Sequence, residues 1–209
     1  MEWYSFYINL FLSLFALFVW MAWSMTEFSS RQLSLLPIEK VKIDENRVIK
    51  NLSDAITYET ISDESSDGVD AITFLAFHKF LRRTYPKTFK NLKEEIFSGY
   101  TMLLKWEGKN TTSSNPILLM AHMDVVPAGD LEKWSEEPFL GTINNDFIHG
   151  RGAIDNKSSL ISILESIEYL LDSGYQPDRD IYISFGHDEE NSGVEGNAVV
   201  AESLKKRGV

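Results

Sequence analysis

Pro116-Ile117-Leu118-Leu119-Met120-Ala121-His122-Met123-Asp124 begins as an unbroken apolar run and ends on a histidine and an acid. A short apolar run bounded by the polar turn at 108–115 predicts a strand covered by helices on both faces, with His122 at its carboxyl end. Outward from it the pattern repeats. In residues 158–173, Leu160, Ile163, Leu164, Ile167, Leu170 and Leu171 fall at helical spacing, and Gly174 is placed to close that helix. Ile181-Tyr182-Ile183-Ser184-Phe185 predicts a second buried strand, followed by an acidic cluster and a helix ending near Gly208. Toward the N-terminus, Tyr100, Met102, Leu104 and Trp106 alternate with Thr101, Leu103, Lys105 and Glu107, the period of a strand. Residues 70–85 predict an amphipathic helix stopped by Pro86, in which His78 serves packing or surface. Residues 45–61 predict another, ending in a polar loop at 62–68. The order strand, helix, strand, helix predicts an α/β fold with a largely parallel sheet flanked by helices.

The residues able to hold a metal fall at the ends of these predicted strands. His122 and Asp124 follow the first, Asp188, Glu189 and Glu190 follow the second, and Asp155 just precedes the helix. In open α/β sheets that edge is where sites gather. Imidazole offers a neutral nitrogen, and carboxylates offer anionic oxygens, one of which can bridge two cations about 3.5–4 Å apart. The chain has no cysteine, so any metal must be held by His and carboxylate. Each residue alone also has a plain structural reading. A histidine after a strand often packs, and an Asp-Glu-Glu run suits the positive end of a helix. Taken together and in order, the set points to a two-metal hydrolytic site.

Four ordered motifs carry a family resemblance: Leu118-Leu119-Met120-Ala121-His122-Met123-Asp124-Val125-Val126-Pro127; Trp134 with Pro138-Phe139; Gly150-Arg151-Gly152-Ala153-Ile154-Asp155-Asn156-Lys157; and Gly186-His187-Asp188-Glu189-Glu190 with Gly193. Over residues 46–209 the chain resembles the co-catalytic zinc peptidases that include aminoacylase, Gly-Xaa carboxypeptidase and yeast carboxypeptidase S. Within them it is most similar to the N-fatty-acyl-amino acid synthase/hydrolase group. The resemblance implies two zinc ions, although the same donors suit cobalt or manganese. It makes His122 a ligand of one metal, Asp155 the bridging carboxylate and Glu190 a ligand of the other. Asp124 would accept the spare N–H of His122 and fix its ring. Glu189 would be the general base, taking a proton from the attacking water and passing it to the leaving nitrogen. His149 and His187 are packing residues that could shape the pocket, Trp134 and Phe139 could be loop anchors, and Lys157 would steady Asp155 electrostatically. Asn156 stands where many relatives have Asp.

The implied substrates are N-acyl amino acids or peptides with a free carboxylate, hydrolysed or, in reverse, condensed. The family completes its sites with a further carboxylate and a C-terminal histidine, and carries a substrate-covering domain, all expected beyond Val209. Residues 47–209 are therefore expected to be the N-terminal portion of a catalytic domain. A fragment of this kind is either part of an active enzyme or a catalytically incompetent, membrane-associated or secreted binding protein.

Residues 3–23 carry no charge and, at about 1.5 Å per residue, span about 30 Å as a helix. They predict a single N-terminal hydrophobic helix. Residues 1–25 read as a signal anchor or a cleaved signal peptide, and 26–46 as a juxtamembrane linker. Uncleaved, the helix would attach the chain to a membrane. Either outcome targets the secretory pathway, with a secreted, luminal or extracellular body. Arg31, Lys40 and Lys42 after the run argue for the opposite orientation of an anchor. Asn51-Leu52-Ser53 and Asn110-Thr111-Thr112 are glycosylation acceptors that fit a luminal body, whereas Asn156-Lys157-Ser158 lies inside the proposed site. With 20 basic and 31 acidic residues the net charge is -11, which repels phosphate backbones and excludes nucleic acid as a natural partner.

Overall fold

The computed structural model describes residues 2–29, 32, 40–62, 69–110 and 115–209. The chain divides into two units, 1–41 and 42–209. The first holds helix α1 (Glu2–Thr26). Its segment Trp3–Thr26 has a mean hydropathy of 1.8 and is long and apolar enough to cross a membrane. Arg31 and residues 63–68 and 111–114 lie outside the described residues, and with them the predicted 62–68 loop and most of the second glycosylation triplet.

The second unit is a four-stranded sheet with helices on both faces. Its elements are α2 (Glu45–Ile56), α3 (Ala71–Thr84), α4 (Pro86–Asn91), β1 (Lys93–Phe97), β2 (Thr101–Trp106) and β3 (Ile117–His122), then the small hairpin β4 (Ile143–Asn144) and β5 (Phe147–Ile148), then α5 (Lys157–Asp172), β6 (Ile181–Gly186) and α6 (Asn197–Lys206). Asp70 caps α3 by accepting the Ile72 N–H at 3.0 Å, and Pro86, which ends α3, occupies the first turn of α4. Gly174 closes α5 with φ of 72°.

The α/β class, the flanking helices and the N-terminal helix are as expected, but the sheet is mixed rather than largely parallel. Its order is β1-β2-β6-β3, with β3/β6 parallel and both β1/β2 and β2/β6 antiparallel. The reason is connection length. Ser98 and Gly99, both at positive φ, turn β1 straight back into β2, which permits only antiparallel pairing. Between β3 and β6 the chain has room for α5, and a crossover helix allows a parallel pair. One sheet face packs Met102, Leu104, Ile183 and Phe185 against Phe74 and Phe77 of α3 and Leu160 and Leu164 of α5. The alternate residues Leu103 and Tyr182 meet Val200 and Leu204 of α6.

Two further expectations change. β3 is not covered on both faces: Ile117, Leu118, Leu119 and Met120 are each 38–50% exposed, because β3 is the edge of the sheet and has no outer neighbour among the described residues. α2 stops at Ile56, short of 61, because the following residues are drawn out along the loop after β3. There Thr60 Oγ1 donates to the Met123 carbonyl at 2.6 Å, Val125 N to Thr60 O at 2.9 Å and Ser62 N to Val125 O at 3.1 Å. Two buried acids on α5 tie the helical layer together. Glu165 accepts from Arg47, Asn51 and Tyr85, and Glu168 from the backbone and hydroxyl of Thr88. Asn51 is thus half-buried with its amide engaged at 2.6 Å, not the exposed glycosylation acceptor its triplet suggested.

Candidate metal centre

Because β3 and β6 are parallel and in register, His122 opposite Gly186, their carboxyl ends open on the same edge. His122 is the last residue of β3, and the turn after β6 delivers Glu189 and Glu190. The loop before α5 brings Asp155 to the same place, its peptide bond to Asn156 being cis. The donor atoms of His122, Asp155 and Glu190 all lie within 4.8 Å of one another. His122 Nε2 is 2.9 Å from Asp155 Oδ1 and 3.7 Å from Glu189 Oε2. His122 is buried while the Asp155 and Glu189 side chains are 72% and 57% exposed, so the cluster has a rigid floor and an open mouth.

Asp124 is wholly buried beneath this cluster. The expected contact to His122 is made in a different way. The ring Nδ1–H is directed at the Asp124 backbone carbonyl at 3.0 Å, with the carboxylate Oδ1 an ion-pair neighbour at 3.3 Å and without a hydrogen bond of its own. The other carboxylate oxygen accepts the Glu190 N–H at 3.0 Å, so Asp124 positions both a histidine and an acid. Both His122 nitrogens face acceptors, an arrangement that favours the protonated ring. Burial opposes that charge, but Asp124 and Asp155 outweigh it and raise the His122 pKa to about 9. Burial raises the Glu190 carboxyl, helped by Asp155, Asp124 and Glu189 and opposed by His122.

This donor set fits a divalent cation. One imidazole nitrogen and two carboxylates converge, with His122 Nε2 facing Asp155 Oδ1 at 2.9 Å.

The remaining candidates separate. Lys157 does not contact Asp155. It is fully buried and donates to the carbonyls of Ala55 and Tyr58 at 3.0 and 2.5 Å, with Phe77 beneath it at 5.0 Å. His187 is buried against Thr101 Oγ1 at 2.6 Å, and His78 is bound to the Tyr100 carbonyl at 2.9 Å. Asp188 organises the turn, its carboxylate accepting the Glu195 N–H at 2.8 Å. Trp134 anchors its loop through Ala128 O at 2.9 Å and is stacked by Arg151 at 5.2 Å, a cation–π contact that sequence spacing could not reveal. A pocket of about 320 Å³ lined by His149, Arg151 and Asp155 adjoins the cluster. The larger cleft, about 540 Å³, is lined by Tyr100, His187, Asp188 and Glu195 but by none of the three convergent donors, so it does not define the site.

Residues 118–209 match the model of peptidase family M20/M25/M40. The chain is 46% identical over 149 residues to probable carboxypeptidase S-like 2 of Dictyostelium discoideum, covering 70% of this chain and 28% of that protein. It is 40% identical over 166 residues to the N-fatty-acyl-amino acid synthase/hydrolase PM20D1.1 of Danio rerio, covering 78% and 32%. The chain thus spans about a third of the length of these curated relatives. Among solved structures it is similar to an M20 family metallo-carboxypeptidase, Sso-CP2 of Sulfolobus solfataricus, with a TM-score of 0.53, 25% identity, and 68% of this chain and 30% of that one covered.

Proposed function

We propose, from the match of residues 118–209 to the model of peptidase family M20/M25/M40, that the chain supplies part of the metal-binding site of a hydrolase that cleaves the amide bond of N-acyl amino acids or of peptides with a free carboxylate. The observation that carries this reading is the convergence of His122, Asp155 and Glu190 within 4.8 Å at one sheet edge, beneath which Asp124 is buried. His122 and Glu190 would each hold one cation and Asp155 would bridge the pair, with zinc the ion the donors suit best. Bound there, the cations would polarise the amide carbonyl and acidify water.

Glu189 is the group free to move protons. It is exposed, lies 3.7 Å from His122 Nε2 and stands outside the convergent set, so it can take a proton from the attacking water and deliver it to the leaving nitrogen. Asp124 keeps the His122 ring and the Glu190 backbone in place while this happens. A catalytic zinc usually has three protein ligands, so a two-metal site needs donors beyond the three named here. We propose that further polypeptide supplies them, and that α1 places the whole in the secretory pathway as an anchor or a signal.

The test is a fusion at Val209 to the part of the Danio rerio relative that follows the matched region. Zinc-dependent release of amino acid from N-acyl amino acids or dipeptides is expected, and Glu189→Gln should lower kcat by at least about 10²-fold while substrate still binds. Full turnover in the Glu189→Gln fusion would refute the base assignment. A folded, zinc-loaded fusion with no turnover would favour a binding role.

A further inference from the structure

Lys157 is fully buried, and lysine is almost never so without a partner. It is the first residue of α5, two positions after Asp155, and it lies outside the convergent donor set. Its ammonium donates to Ala55 O and Tyr58 O, at the end of α2 and just beyond it, and sits over the Phe77 ring. Its stem presses on Gly152, where a Cβ would come within 3.4 Å of the lysine Cδ, and its backbone N–H donates to Gly152 O at 3.0 Å. The loop that carries Asp155 is thereby tied to residues 55–58.

Those residues lead directly into the Asp124 side of the site. Thr60 and Ser62 bond Met123 and Val125, which bracket Asp124. Lys157 therefore links the loop of Asp155, through residues 55–62, to the loop of His122 and Asp124. A methionine would fill the space but would leave two carbonyls unsatisfied.

We propose that Lys157 is a positioning residue for the metal centre: its terminal nitrogen ties the Asp155 loop to residues 55–58, which run on into the segment bonded to the loop of His122 and Asp124. This rests on the metal-site reading above. The test measures Co2+ affinity and the visible absorption of bound Co2+ in the detergent-solubilised full chain. Lys157→Met should weaken Co2+ binding by about ten- to a hundredfold, as expected for loss of a residue that orients ligands. Phe77→Leu loosens the same pocket but keeps the ammonium, so it should lower the melting temperature and leave Co2+ affinity unchanged. The chain has no cysteine, so Lys157→Cys can be aminoethylated at that position alone, under denaturing conditions, to restore an ammonium after refolding.

Recovery of Co2+ affinity on aminoethylation supports the proposal, including where Lys157→Met does not fold. Wild-type affinity in Lys157→Met, equal weakening by Phe77→Leu, or a refolded aminoethylated protein that binds no better than His122→Ala would overturn it. Absence of Co2+ binding both by the unmodified chain and by the fusion at Val209 would instead defeat the metal-site reading itself.

Discussion

The surroundings of His122 favour a proton on each ring nitrogen. Asp124 is buried on one side, Asp155 faces Nε2 on the other, and together they overcome the cost of burial to hold the pKa near 9. Replacing Asp124 with Asn should therefore move the midpoint of the ring down toward 6.5, followed by the His122 Hε1 resonance in a pH titration; an unmoved midpoint would contradict the assignment. Global stability is a poorer readout here. The raised pKa of His122 adds stability that is full below about 6.5 and is lost as pH rises through about 9. Burial depresses Lys157 to about 7, against the pull of Asp124 and Glu59, so its contribution runs the other way and favours the folded state as pH rises from about 7 toward 10.5. The two windows overlap and oppose, which leaves the ring resonance as the discriminating signal.

At the scale of elements, α5 both delivers the Asp155 loop and fastens the helical layer. Glu165 accepts from Arg47, Asn51 and Tyr85, and because Arg47 is half-exposed the loss falls mainly on the buried Tyr85 hydroxyl and the Asn51 amide, so Glu165→Ala should cost about 1–3 kcal/mol, measured by urea unfolding. On β3 the opposite holds. Leu118 and Met120 are half-exposed on an edge strand, so charged replacements there should change stability by no more than about 0.5 kcal/mol. They should also reduce self-association measured by light scattering. The periodicity of 158–173 and the apolar runs at 116–121 and 181–185 made α5, β3 and β6 legible in the sequence, with boundaries within two residues. What escaped it depends on chain partners distant in sequence. β1, which begins on the charged Lys93, Glu94 and Glu95, is held by the Ser98-Gly99 turn, and the early end of α2 is set by Thr60 and Val125, 65 residues apart. The exposure of β3 could not be read from its composition, because an apolar run looks the same at a sheet's centre and at its edge.

At the scale of the whole molecule, α1 and the second unit are distinct in character. The first is a 25-residue apolar helix, and the second an acidic α/β layer. Removing residues 2–25 should shift the expressed protein from the carbonate-resistant membrane pellet to the soluble fraction; unchanged fractionation would argue against an anchor. The convergence of His122, Asp155 and Glu190 could be anticipated because two of them fall at or just after strand ends and the third just precedes α5. The role of Lys157 could not, since its partners Ala55 and Tyr58 act through backbone carbonyls that carry no sequence signal. The most direct test of the account is calorimetric titration of the detergent-solubilised chain with Zn2+ at pH 7.5 in buffers of different ionisation enthalpy. Saturable binding with release of about one proton, from His122 Nε2, is predicted, and both should vanish in His122→Ala. Binding that persists unchanged in His122→Ala, or that releases no proton, would contradict it.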